Sequence, residues 1–380
     1  MFKMSVFLVG LRILRDTAFL FLNRCLGFCT FFVKGHSTIY IHVPYAFEID
    51  SVLSAGKCAE NARFKAVFVA SKNNCEEIET HGMKKINRSN LTSRQIFGAA
   101  GHIFCDTESF NKDYPIQLFA QNIFYIPYGV SVSAAYYSRR HYYGLLVHKL
   151  ANHIFVPSKI VQKRFKKFSN FSPMKVVVAS HPKVDKIAEI VTTKTRDDRE
   201  KTSILWNSHF NKGWGNFDLV VRQILDFVNM RSDVRVIFRP HPFFKLSEWS
   251  LTTTDLEDWE TAVSSKKIIV DNQTNYCEQM AMADVLLTDG SSVMYDFFHT
   301  LRPIVYTVSK RNYKILAEEY KFLSNSHHIC NLPGSLHGAL NSAVEWSVKK
   351  QNKEEPALLQ MAAPGSFVSE FTKRLPSNNV

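Results

Sequence analysis

The sequence predicts two successive doubly wound α/β domains, and three observations predict them. Short runs rich in Val, Ile and Phe alternate with segments of helical periodicity along most of the chain. Those runs are apolar without interruption, as strands buried on both faces of a parallel sheet must be. A polar stretch at 180–202 divides the alternation into two series, and 380 residues suffice for two domains of ordinary size.

In the first series "TIYIHV" (38–43) reads as a strand. "SVLSAGKCAENARF" (51–64) reads as a helix capped by Asp50 or Ser51, and "KAVFVAS" (65–71) as the next strand. Residues 72–122 show no clear period, although "GAAGHIFCD" accommodates a further strand. "NIFYIPYG" (122–129) is a strand running into a turn, and a helix is expected over 138–150. "HIFVPS" (153–158) is a strand ending on an N-cap serine, "KIVQKRFKKF" (159–168) its basic helix, and "MKVVVAS" (174–180) the last strand. The segment 180–202 reads as an interdomain linker.

The second series begins with "SILW" (203–206) and a helix over 213–230. "VRVIFRPH" (234–241) and "KIIVDN" (267–272) are strands, followed by a helix at 274–282. "DVLLT" (284–288) and "PIVYT" (303–307) complete the expected sheet, and a helix at 334–349 precedes a Pro/Ser/Asn tail. The expected domains are therefore 37–185 and 186–350, with 351–380 as the tail.

Residues 1–36 differ from the rest. They are mostly apolar but carry Arg12, Arg15, Asp16 and Arg24, so no uninterrupted run long enough for a spanning helix exists. Nor does a small-residue cleavage site mark a signal peptide. On a helical wheel Ser5, Arg12, Asp16, Asn23, Thr30 and Lys34 fall within roughly 40° of one another. That stripe suits an amphipathic helix lying on an anionic membrane surface, or one packed on the protein's own core.

The formal net charge of +13 favours anionic partners: phosphorylated substrates, acidic polymers, nucleic acid or a membrane face. The seven scattered cysteines form no CxxC pair, which reads as reduced thiols without a disulfide framework or zinc knuckle. "KIVQKRFKKF" is either a solvated helix face or a contact for anionic lipid or polymer. No P-loop, GxSxG, HExxH or EF-hand pattern is present.

Two segments carry chemistry. After "DVLLT" come Thr288, Asp289, Gly290, Ser291 and Ser292, and then a helix-like run. A helix start offers free N–H groups and a partial positive charge, Gly290 permits close approach of the backbone, and the serines add hydroxyl donors. That combination makes a phosphate cradle or, more plainly, a helix cap. "FRPHPFFK" places Arg239, His241 and Lys245 at the end of another strand in the same domain. His241 suits donation to a phosphate oxygen or general acid/base work, and Arg239 a phosphate clamp or an internal ion pair.

"RPHP", then "MADVLLTDGSSVMYDFFHTLRPIVY", and earlier "ASHPKVDKI" together resemble the CDP-glycerol glycerophosphotransferase family, of the teichoic-acid polymerase and primase type. The resemblance covers roughly residues 120–310; Pro182, Lys183 and Asp185 stand where that family has PR-x-D. It implies a GT-B-like fold of two Rossmann-like domains. It implies transfer of a polyol phosphate from a CDP-linked donor to a hydroxyl of a lipid-linked or polymeric glycan acceptor, releasing CMP. By the same resemblance His241 contacts the donor pyrophosphate, and Thr288, Asp289, Ser291 and Ser292 hold phosphates or polyol. No metal, cofactor or nucleic acid is implied, and the expected location is cytoplasmic, peripheral on the inner face of the plasma membrane.

Two departures qualify the match. Tyr128 stands where the family carries the histidine of a "WHG" turn, its apparent general base, and a tyrosine is a poor base at neutral pH. His42 and His141 are then alternatives. Gly290 stands where the family has tyrosine. The departures leave open a nucleotide-sugar glycosyltransferase of capsule or lipopolysaccharide synthesis, and a non-catalytic nucleotide- or glycan-binding subunit.

Overall fold

The computed structural model describes residues 38–43, 49–70, 84–87, 99–105, 122–127, 146–168, 175–193, 201–273, 276–289, 293–312, 328–349 and 362–376. The N-terminal segment 1–36, Tyr128, His141, Gly290, Ser291 and Ser292 lie outside the described residues. The chain divides into two compact units, with a boundary between Pro182 and Lys183 and a return to the first unit at Gly365.

The first unit is built on a parallel sheet. Its strands are β1 (Thr38–Val43), β2 (Lys65–Ala70), β3 (Lys85–Asn87), β4 (Gly101–Phe104), β5 (Ile123–Tyr125), β6 (His153–Val156) and β7 (Val176–Val178), in the order β3-β2-β1-β4-β5-β6-β7. β1 is central because it is buried almost throughout, while the short, polar β3 takes an edge. The helix Ile49–Asn61 packs Val52, Ala55 and Ala59 onto the sheet. The basic helix Lys159–Phe168 is capped by Ser158, whose Oγ accepts from the Val161 amide at 3.2 Å. It buries Val161 and Phe165 and leaves Lys159 and Lys163 exposed.

Two readings of the sequence change here. The stretch read as a linker contains a helix, Pro182–Thr193. Proline at a first helical position costs no hydrogen bond, Asp185 complements the helix dipole in the first turn, and Val184 and Ile187 bury one face. The stretch read as a tail also contains a helix, Ser366–Thr372, which belongs to the first unit. Its Phe367 and Phe371 are fully buried against Phe155 and Phe124. The Ser180 amide donates to Ser366 Oγ (2.9 Å) and the Phe367 amide to Ser180 Oγ (2.8 Å).

The second unit repeats the plan. Its strands are β8 (Thr202–Asn207), β9 (Val234–Phe238), β10 (Ile268–Val270), β11 (Val285–Thr288), β12 (Ile304–Val308) and β13 (His328–Asn331), all parallel, in the order β10-β9-β8-β11-β12-β13. β8 comes first in sequence yet lies in the middle, so strand order reverses between β8 and β11. That reversal opens a crevice at the carboxyl ends of the two strands.

One face of this sheet is packed by rings. Trp206 stacks on Phe217 (5.0 Å between centroids, 8° between planes), and Phe238, Trp249 and Trp259 close around them. Phe217 opens the helix Phe217–Met230, whose buried Val220, Val221, Ile224, Leu225 and Val228 follow the helical period. A further helix, Thr253–Ser264, starts at a capping box between Thr252 and Asp255 that the sequence reading passed over. Among the described residues no helix is long and apolar enough to cross a membrane.

Candidate active site

Three strand ends meet at the switch point of the second sheet. β8 delivers Asn207, Ser208 and His209; β9 on one side delivers Arg239, Pro240 and His241; β11 on the other delivers Thr288 and Asp289. The two motifs that the sequence separates by about fifty residues therefore flank one strand.

Asp289 organises the crevice. It is fully buried, and its Oδ2 accepts from Ser208 Oγ (2.5 Å) and from the Asn216 amide (2.7 Å), while Oδ1 accepts from the His209 amide (2.8 Å). Burial pushes its pKa up to about 6, against the pull of those three hydrogen bonds. The carboxylate thus pins the segment 208–216 to the end of β11. It faces protein donors, so it positions the crevice.

The pinning continues into β12. Asn216 precedes a helix but spends no side-chain hydrogen bond on capping it; its Nδ2 donates to the Thr307 carbonyl (3.1 Å), and its Oδ1 accepts from Ser309 Oγ (2.7 Å). Asn312 Nδ2 donates to the carbonyls of Asp289 (2.7 Å) and Thr307 (2.8 Å). Arg311 reaches back to Asp218 (2.6 and 3.0 Å) and to the Gly215 carbonyl (3.1 Å). Gly215 is required there, because a Cβ would lie 2.3 Å from the His209 carbonyl oxygen and 2.8 Å from the Trp249 ring.

His209 and His241 share a feature that decides their chemistry. Nδ1 of His209 accepts from the Asn211 amide at 3.0 Å, and Nδ1 of His241 from the Phe243 amide at 3.1 Å. An amide can only donate, so each neutral ring carries its proton on Nε2. Burial pushes both pKa values down to about 4, His209 adding to the effect on His241. At neutral pH both are uncharged Nε2–H donors. With Nδ1 engaged in each ring, the geometry favours donation to an anionic oxygen over general-base work for His241.

Arg239 takes the other branch the sequence left open. Its guanidinium bonds the buried Asp271 carboxylate and donates to the Gln273 carbonyl at 2.5 Å, holding the exit of β10. Its own carbonyl accepts from Asn207 Nδ2 at 3.0 Å. Thr288 is buried, and its Oγ1 has no hydrogen-bond partner among the described residues. Of the alternative bases, His42 lies within β1, its Nε2 3.0 Å from His102 Nδ1, both rings buried. Pro182, Lys183 and Asp185, matched to the family's PR-x-D, sit at a helix start, where His181 Nε2 contacts the Pro127 carbonyl at 2.6 Å.

The family model for CDP-glycerol:poly(glycerophosphate) glycerophosphotransferase matches residues 48–320. The chain belongs to that family. It is a CDP-glycerol glycerophosphotransferase-like transferase of GT-B type. Among solved structures, the wall teichoic acid polymerase TagF, in a histidine-to-asparagine variant soaked with CDPG, superposes with a TM-score of 0.52 at 13% identity, over 100% of this chain and 95% of that one. The UDP-GlcNAc 2-epimerase of Methanocaldococcus jannaschii, solved with UDP-GlcNAc and UDP, gives 0.56 at 15% identity over 88% and 98%. An epimerase of the same kind from Listeria monocytogenes gives 0.54 at 12% over 88% and 94%. These likenesses establish the fold; the family match separates the transferase from the epimerases that share it. No curated protein sequence matches the chain.

Sequence reasoning named His241 and Asp289 but passed over Ser208, His209, Asn216 and Asn312. One signal was available: "NSH" directly follows the buried run "SILW", so polar side chains stand at a strand's carboxyl end.

Proposed function

We propose that this glycerophosphotransferase-family protein moves glycerol phosphate, or a related polyol phosphate, from a CDP-linked donor to a hydroxyl of a lipid-linked or polymeric glycan, releasing CMP. The observation that carries the reading is the convergence of the RPHP segment and of Thr288 and Asp289 on one crevice, around a strand end whose polar groups are held by Asp289.

The acceptor oxygen attacks the phosphorus bearing the polyol. The bond to the bridging oxygen of the diphosphate breaks, the electron pair leaves with CMP, and the hydroxyl proton passes to a base. His241 donates from Nε2 to the diphosphate, Thr288, Gly290, Ser291 and Ser292 hold its oxygens, and Tyr128 is assigned to the acceptor step by the family resemblance. Charge on the diphosphate spreads over its oxygens during transfer, so positioned donors lower the barrier without themselves exchanging protons. Asp289 acts at one remove, by fixing the crevice wall. The net positive charge and the amphipathic pattern of the sequence 1–36 support a location on the inner face of the plasma membrane, where a lipid-linked acceptor is available.

A thermal-shift screen against CMP, CDP-glycerol, CDP-ribitol, UDP-sugars and GDP-sugars tests the donor class. Cytidine ligands at about 100 times Kd are expected to stabilise the protein by about 2.7 kcal/mol. That gain should shrink in His241→Ala and in Ser291→Ala/Ser292→Ala. Stabilisation by uridine or guanosine ligands alone would move the reaction to glycosyl transfer. No response to any nucleotide would sink the reading.

A further inference from the structure

We infer that His209 is a second donor to the bound diphosphate, paired with His241 across the switch point, so that two uncharged Nε2–H groups grip the anion. The inference rests on the reading above that the ligand carries a diphosphate.

The geometry treats the two rings alike. Each follows directly on a strand end, and each has Nδ1 tied to an amide two residues further along its own loop. Nε2 is thereby turned away from that loop. The ring centroids lie 6.5 Å apart with planes 25° from parallel. A single side chain spaces them: the Phe210 ring lies 4.8 Å from His209 and 4.5 Å from His241. Each N–H reaches an oxygen about 2.9 Å away, so both can meet the oxygens of one diphosphate.

The His209 backbone is fixed as firmly as the ring. Its amide donates to Asp289 and its carbonyl packs on Gly215, which tolerates no side chain. Several other polar groups of the edge are committed within the protein: Arg239 to Asp271 and Gln273, and Ser208 to Asp289. A cap or a core contact would not need a tautomer presenting Nε2–H, nor a matching ring on the next strand.

The test uses the full chain and inorganic pyrophosphate as probe, with binding measured by calorimetry for the wild type and for His209→Ala, His209→Gln and His209→Asn. Glutamine places an amide N–H near the position of Nε2, whereas asparagine places its amide near Nδ1. Loss of one hydrogen bond to a charged group predicts roughly 10–100-fold weaker binding in the alanine and asparagine variants. Glutamine should restore most of it. Equal binding by alanine and wild type, equal weakness in glutamine and alanine, or no binding of pyrophosphate to the wild type would each overturn the inference. Should alanine fail to fold, the contrast between glutamine and asparagine still decides. Pyrophosphate carries no nucleoside, so the pair can pass this test while the cytidine reading fails its own screen, or the reverse.

Discussion

The two units share a strand order at their centres but furnish their switch points differently. In the first sheet β1 and β4 meet through rings: His42 stacks on Phe104 (4.2 Å) and His102 on Tyr40 (5.5 Å), and the two imidazoles bond each other at 3.0 Å. Cys105 Sγ donates to the His42 carbonyl. In the second sheet β8 and β11 meet through a buried carboxylate that satisfies three donors of an adjoining loop. The topology places a crevice at both reversals, and side chains decide what each can hold. In the first sheet the described contacts between the two strands are stacked rings, whereas in the second a buried carboxylate holds a polar wall in place.

The largest effect expected from breaking this contrast is that of Asp289→Ala. It strands Ser208 Oγ and the amides of His209 and Asn216, each costing about 1–3 kcal/mol when left buried and unmet. A loss of at least about 3 kcal/mol in the second unit is expected, with pyrophosphate binding abolished. Chemical denaturation followed by tryptophan fluorescence reads it well, because Trp206, Trp249 and Trp259 all sit in that unit. A variant that keeps both stability and binding would show that the loop holds itself.

Acid should weaken the first unit through His148. His148 is buried edge-on between Tyr125 (4.6 Å) and Phe165 (5.0 Å), and neither ring nitrogen has a hydrogen-bond partner among the described residues. Burial, and then the charge of Lys175, push its pKa down from 6.5 to about 3. The unfolded chain binds this proton more readily, so the stability contribution is complete above about pH 6.5 and is lost as pH falls toward 3. From pH 7 to pH 5 that loss is about 2 kcal/mol in the first unit. Asp289 has the opposite sign. Its folded pKa is raised from 3.8 to about 6, so its contribution is present at low pH and lost as pH rises through that window. Scanning calorimetry should therefore show the first unit's transition moving down between pH 7 and pH 5, and a His148→Phe variant should flatten that dependence. The second unit carries buried histidines of its own, His209 and His241, so the control is the variant and not the other transition. An equally steep pH dependence in His148→Phe would refute the assignment.

The sheets were legible because their central strands are buried on both faces and read as unbroken apolar runs. Two edge strands were not: β3 is the three residues "KIN" and β13 is "HICN", and neither run is long or apolar enough to stand out. The helix at 182–193 was hidden by its polar outer face, although Val184 and Ile187 carry the helical spacing. The site divided along similar lines. "RPHP" and "TDGSS" are local signatures, readable one at a time. The part played by "SHFNKGW" depends on β8 lying between β9 and β11, and that order is a property of the folded sheet. The fate of Arg239 depended on Asp271, thirty-two residues away, which no local pattern announces.

The smallest effect sharpens the comparison most. His102→Phe keeps a ring in the stack between Tyr40 and His42 and removes the bond to His42. One lost hydrogen bond between buried neutral groups costs about 1–2 kcal/mol, all of it in the first unit. Pyrophosphate and nucleotide affinity should not change, because the residues assigned to the anion belong to the other sheet. Thermal unfolding and the same calorimetric titration read both quantities on one sample. A destabilised variant with intact affinity means that the rings between β1 and β4 are architecture and the carboxylate-pinned reversal is the site. A fall in affinity would mean that the first reversal also contributes to holding the ligand, and that burial of His42 conceals a working residue.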